Sequence, residues 1–264
     1  DWSSDVCSSD LTPSFVIEAN TLIRLYFSGV IADHGECRIG GGQAHHVIHV
    51  MRLKEGDGVT LFDGQGVEYP ARIQRIERAE LSLLVSARRE VSRESPLQVL
   101  VAQAISTGER MDYTVQKCVE LGATAFQPLT TQRSIVRLAA ERAERRIAHW
   151  QGVAAGACEQ CGRNVLPDVL PVKPLMNWLG EDGGARDTTR FVLAPGATTR
   201  LRDVRRPQGA ITLLAGPEGG FGEDELFAIR AAGFMPLNLG PRVLRTETAA
   251  AAALAAMQAL WGDG

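Results

Sequence analysis

The hydrophobic period of this 264-residue chain changes across residues 88–96, so the chain cannot be one uniform architecture. Upstream, residues 24–27, 59–62, 69–76 and 81–85 are short β-prone runs. The last two alternate apolar and polar side chains, as half-buried antiparallel strands do. One helix pattern, at 43–53, interrupts them, and several short strands in such a space predict a small barrel. Downstream, residues 97–105 form a near-continuous apolar run, as a parallel strand buried on both faces requires. Helix patterns follow at 111–121, 138–159, 223–232 and 246–260, the first and third stopped by Gly122 and Gly233. Strands are expected at 125–129, 190–194, 211–215 and 237–239. Strands alternating with helices predict an α/β layer with a mainly parallel sheet. The charged, Pro-terminated stretch 88–96 reads as a linker. The expectation is an α/β protein with a barrel at 12–90 and an α/β domain at 97–264.

Composition is that of an ordinary globular protein, 45% hydrophobic and 22% charged, which excludes a disordered, collagen-like or coiled-coil chain. A formal net charge of −3 argues at first sight against a nucleic-acid partner. Charge by segment removes the objection. Residues 1–11 hold Asp1, Asp5 and Asp10 and no basic residue, and the other 28 acidic residues balance 28 basic ones. This tail repeats Ser-Ser-Asp, has neither helical nor strand periodicity, and resembles translated sequencing-adapter sequence, so it is set aside as non-native. No apolar run approaches a bilayer span, and five cysteines without a secretory signal predict a reduced, cytoplasmic setting.

Chemistry concentrates in two strand–loop–helix segments. Residues 213–222, LLAGPEGGFG, run from a buried strand into a glycine-rich turn, and three carboxylates open the next helix, where its dipole favours them. The turn is neither a P-loop nor Gly-x-Gly-x-x-Gly, so a phosphate cradle is not expected. Residues 237–249, LNLGPRVLRTETA, repeat the logic, with Thr246 expected as the helix N-cap. Arg242, Arg245 and Glu247 cluster there, where the apolar helix beyond needs no charge. In open α/β sheets ligands collect outside the carboxyl ends of strands, so the two loops look like walls of one pocket.

GPEGGF followed by LGPRVLRTETA resembles the 16S ribosomal RNA uridine-N3 methyltransferase family, the RsmE-like branch of the SPOUT superfamily. QAISTGERMDY at 103–113, QKCVELG at 116–122, QRS at 132–134, ACEQCGRN at 157–164, HVIHVMRL at 46–53 and LFDG at 61–64 fit in the same order. The resemblance implies an N-terminal PUA-like RNA-binding barrel and a C-terminal SPOUT α/β domain tied in a trefoil knot. It implies S-adenosylmethionine as cofactor, a homodimer, and 16S rRNA in the small ribosomal subunit as substrate. Carried over, one cofactor loop is Leu214, Gly216, Pro217, Glu218 and Gly219. The other holds Leu239, Gly240, Leu244, Arg245, Thr246 and Thr248, with Leu193 at a third wall. Backbone groups of Gly216, Leu239 and Leu244 would hold the adenosine.

Uracil N3 is mostly protonated at neutral pH, so in-line attack on a sulfonium methyl requires loss of that proton. A cation near the base stabilises the developing anion. Arg245 is the expected catalytic cation, and Glu247 is expected to orient it or relay the proton. Residues 103–146 carry seven basic residues against five acidic, and Arg24, Arg52, Arg110, Lys117, Arg133 and Arg137 are the expected RNA contacts. No metal is expected. Cys158 and Cys161 lack a second Cys-x-x-Cys pair and are read as packing residues, and the helix carrying His45, His46 and His49 as one buried under the barrel.

Overall fold

A computed structural model describes residues 23–134, 140–181 and 188–264. The 1–11 tail and Arg137 lie outside them. The upstream sheet contains β1 (Ile23–Tyr26), β2 (Glu36–Gly40), β3 (Gly58–Phe62), β4 (Val67–Glu77), β5 (Glu80–Val85) and β6 (Arg89–Glu90). Its order is β1-β3-β4-β5-β2, with β6 on β4. The pairings are antiparallel except β1 with β3, which run parallel. Among the described residues β1 and β2 remain edges rather than closing a barrel. The predicted helix at 43–53 is shorter: α1 (Gly41–His45) runs into a π-turn at 46–50. Only Ala44 and Val47 of it are buried, packing with Leu25, Leu61 and Leu83. The histidines stay outside, His45 and His49 with ring centres 4.5 Å apart, which corrects the expectation of a helix buried under the barrel.

The downstream sheet contains β7 (Val99–Ala104), β8 (Ala125–Thr130), β9 (Asp168–Val169), β10 (Lys173–Pro174), β11 (Thr189–Leu193), β12 (Ile211–Ala215) and β13 (Met235–Leu237). Its order is β10-β8-β7-β12-β11-β13, with β9 on β8, and every pairing is parallel. All carboxyl ends therefore fall on one edge. The helices are α2 (Arg110–Glu120), α3 (Ala140–Cys161), α4 (Leu175–Gly180), α5 (Glu223–Ala231) and α6 (Thr246–Trp261). Alanine at 250 and 253 lets α6 lie close to the sheet, where Leu254, Met257 and Trp261 complete the core with Phe126, Trp150 and Phe191. The strand expected at 237–239 ends at Leu237. The side-chain amide of Asn238 leaves the ladder, donating to the Ala197 carbonyl and accepting from the Gly240 N–H.

Gly122 ends α2 at φ +85°, and a Cβ there would lie 2.7 Å from Gln258 Nε2 and 3.0 Å from Ser95 Cβ. Gln258 is occupied, donating to the Leu121 carbonyl and accepting from Ser95. Gly122→Ala should therefore cost about 1–3 kcal/mol in urea unfolding, left-handed strain plus crowding.

The 88–96 stretch is not a free linker. β6 pairs with β4, and Arg93, Glu94 and Ser95 are all bonded to the downstream sheet's elements. Arg163 explains the clasp. Its buried guanidinium donates to Glu94 and to the carbonyls of Val119 and Ala123, at 2.9 and 2.8 Å. Asn164 donates to the Val91 carbonyl and to Glu68, which also binds Arg24 and Arg93. Burial alone would raise the Glu68 pKa, but these donors hold it below the ordinary carboxylate value. The ACEQCGRN motif is thus the fastening between the two sheets. Glu159 accepts from the Tyr26 N–H in the same junction. Cys158 is buried nearby, its thiol pushed up to about 12 by burial, and all described cysteines are free.

Candidate functional site

Register brings the predicted loops together. Leu193 pairs with Leu237, Val192 with Leu214, and Ala215 with Gln103, so β7, β12, β11 and β13 deliver their ends to one row. Thr246 ties that row. It is not an N-cap: Arg245 holds the cap position, in extended conformation, and no side chain caps the helix. The Thr246 hydroxyl instead donates to the Gly216 carbonyl at 2.6 Å and accepts from Gln103 Nε2 at 3.0 Å. One buried hydroxyl therefore joins the ends of β7 and β12 to the start of α6. Thr246→Val keeps the shape and strands a buried carbonyl. It should cost about 1–3 kcal/mol, read as a lower melting temperature.

The glycine loop is braced on both flanks. On one side, Glu218 accepts from Arg110 at 2.7 Å and from the Thr107 N–H. Burial pushes the Glu218 pKa up, but a backbone hydrogen bond within the loop and Arg110 bring it below the ordinary value. On the other, the buried Glu225 carboxylate accepts from the N–H groups of Gly222 and Gln132, both at 2.8 Å, and Arg133 donates to the Gly219 carbonyl. A Cβ on Gly222 would meet the end of the Gln132 side chain, which would have to swing aside. Sequence reasoning missed Gln103, Gln132 and Glu225, although the QAIS and QRS segments contained the first two.

Two clefts flank the loop that leads into α6. Arg245, Glu247 and Thr248 line one of about 710 Å³, with Thr107, Gly108, Glu109, Arg110 and Tyr113. Leu239 and Gly240 line the other, of about 510 Å³. Arg245 and Glu247 share a cleft without an ion pair between them, so Glu247 does not orient Arg245 by contact. Leu214 is wholly buried beneath the glycine loop, Pro217 is buried, and Leu193 and Leu244 are half-buried. Three buried polar atoms among these segments lack a partner: Gln103 Oε1, Ser106 Oγ and Glu247 Oε2.

The expected RNA contacts fare unevenly. Arg24 is turned inward, bound to Glu68 and Asn164 with 12% of its side chain exposed, and is not a surface phosphate contact. Its place at the junction of the sheets puts it among buried acceptors. Arg110 is held by Glu218, Lys117 by Glu120, and Arg133 by Gly219, while Arg52 is exposed. Among the described residues no group of three or more potential metal ligands gathers, and no helix is long and apolar enough to cross a membrane.

This fold and edge define an RNA methyltransferase: residues 93–258 match the RNA methyltransferase domain, and residues 39–85 the RNA methyltransferase PUA domain. The small-subunit ribosomal RNA methyltransferase E of Bacillus subtilis is 32% identical, over 83% of this chain and 88% of its own length. The Neisseria gonorrhoeae enzyme of that name, solved bound to S-adenosylmethionine, is 39% identical with a TM-score of 0.84, over 92% of this chain and 99% of that one. A methyltransferase from Legionella pneumophila, solved with the same cofactor, is 38% identical with a TM-score of 0.87 over the same shares. The chain belongs to the ribosomal RNA small subunit methyltransferase E family.

Proposed function

We propose that this chain methylates N3 of a uridine in the 16S rRNA of the small ribosomal subunit, with S-adenosylmethionine as donor, acting in the cytoplasm as a homodimer. The observation that carries this reading is the Gln103–Thr246–Gly216 junction, where both glycine loops meet beside a cleft holding Arg245 and Glu247. In this reading residues 12–90 are the RNA-binding PUA unit and residues 97–264 the methyltransferase unit. The segment from β12 to α6 threads as a trefoil knot, and residues 1–11 are foreign to the protein.

The residues present fit the cofactor. Gly240, at φ +122°, has no atom within 4 Å of where a Cβ would sit, so its backbone is open to a ligand. The unpartnered Gln103, Ser106 and Glu247 atoms leave hydrogen-bonding capacity at the end of β7 and at the start of α6. Backbone groups of Gly216, Leu239 and Leu244 would hold the adenosine between the two loops, with Leu193 as a wall. Bound there, the cofactor supplies an electrophilic methyl group on sulfonium.

The chain's own residues do the rest. Thr246 fixes the two loops relative to each other, which holds the base and donor in line. Arg245 faces the base and stabilises the anion that forms as N3 loses its proton. Glu247 accepts that proton with the oxygen that has no other partner. Calorimetry with S-adenosylmethionine tests the reading: micromolar binding is expected, competed by S-adenosylhomocysteine. No binding would favour an RNA-binding scaffold that keeps the fold without the reaction.

A further inference from the structure

Four arginines fall within residues 200–206, against the single carboxylate of Asp203. All four are exposed. The side chains of Arg200, Arg205 and Arg206 make no ion pair or hydrogen bond with a described residue, and that of Arg202 meets only Asp203, at 3.9 Å with both side chains mostly in solvent. This contrasts with Arg24, Arg110, Lys117 and Arg133, each already engaged inside the protein. Four cations against one carboxylate in so short a stretch repel one another, a cost that folding alone does not explain.

The segment is also held in place. Asn238 binds it twice, donating its amide to the Ala197 carbonyl and its N–H to the Thr199 carbonyl at 2.9 Å, and Arg200 pairs in parallel with Asn238. Leu201 is buried in the main core, and a short 3₁₀ turn at Leu201–Asp203 fixes the backbone between the arginines. Arg200 and Arg202 thus stand on a rigid rim of the 510 Å³ cleft, over an apolar floor of Leu201, Leu239, Pro241, Ala256 and Leu260. Such a guanidinium rim suits the phosphates of a nucleic-acid strand.

We infer that the exposed arginines of segment 200–206 are a docking surface for the substrate RNA strand next to the methylated nucleotide. The inference rests on the RNA methylation reading above and extends it. The cleft borders the loop whose far end carries Arg245. From Pro241 to Arg245 the chain spans at most about 14 Å, so a strand whose target base reaches Arg245 passes the rim within a few nucleotides. The arginines meet phosphate and position the strand without reading its sequence.

The test compares wild type with Arg205→Gln/Arg206→Gln and Arg200→Gln/Arg202→Gln, using small ribosomal subunits from cells lacking the modification. Each pair should raise the KM for subunits about tenfold with kcat unchanged. Each should also lower the slope of log affinity against log salt by about 1 for every phosphate no longer held. Affinity for S-adenosylmethionine and sedimentation should stay as in wild type. Unchanged KM and slope would overturn the surface. A fall in cofactor affinity would mean that the arginines support the methyl donor's cleft instead, and dissociation to monomers with an unchanged slope would make the segment an interface between copies. Binding is read separately from transfer. A wild type that binds subunits without methylating them overturns the methylation reading, and the slope comparison still decides the rim.

Discussion

Arg245→Ala is expected to lower methyl-transfer turnover by about 10²–10³-fold while leaving S-adenosylmethionine affinity within about twofold. Stability does not account for an arginine at this place. Arg245 is the N-cap of α6, where the helix dipole disfavours a cation by about 0.3–1 kcal/mol. Its side chain is exposed and makes no ion pair or hydrogen bond with a described residue, yet it lines the cleft with Glu247 and Thr248. The carbonyl of Arg245 accepts from the N–H groups of Thr248 and Ala249, so the backbone keeps its helix start when the side chain is removed. The loss should fall on kcat, and the rising limb of the pH–rate profile should move to higher pH, because deprotonated N3 loses its stabilising cation. Near-normal turnover would remove Arg245 from the chemistry.

Arg163→Leu is expected to destabilise the protein by about 3 kcal/mol, read by urea unfolding. The substitution leaves the Glu94 carboxylate and the Val119 and Ala123 carbonyls without their donor. Glu94 keeps 23% of its side chain in solvent, which holds the cost to the low end for a broken buried pair. Since Arg163 and Asn164 fasten β6 and the following stretch to the downstream domain, unfolding should also broaden as the two sheets lose their coupling. A change below about 1 kcal/mol would mean that the clasp is ornamental.

Periodicity made most of the downstream fold legible. Residues 211–215 and the helix starts at 223 and 246 stand where the pattern put them, because a buried parallel strand and a Gly-stopped helix leave strong one-dimensional signals. The short strands β2, β9 and β10 left none, and their places are set by partners far away in sequence. The same limit governed the site. The two glycine loops were visible as strand–loop–helix junctions, but the Thr246 hydroxyl could not be seen crossing to Gly216, thirty residues away. Local reasoning put it to use at its own helix end. Charge suffered most: Arg24 looks like a surface cation in sequence and is a mostly buried partner of Glu68, while Arg200, Arg205 and Arg206, which drew no expectation, keep unpaired side chains. Counting charges cannot tell a spent cation from a free one.

The most direct measurement is methyl transfer from S-adenosylmethionine to small ribosomal subunits lacking the modification, followed by nuclease digestion and mass spectrometry of the nucleosides. The proposed function predicts one methyl group per subunit, recovered as N3-methyluridine and lost with Arg245→Ala. Label recovered in another nucleoside, or no transfer by a protein that binds the cofactor, would contradict it.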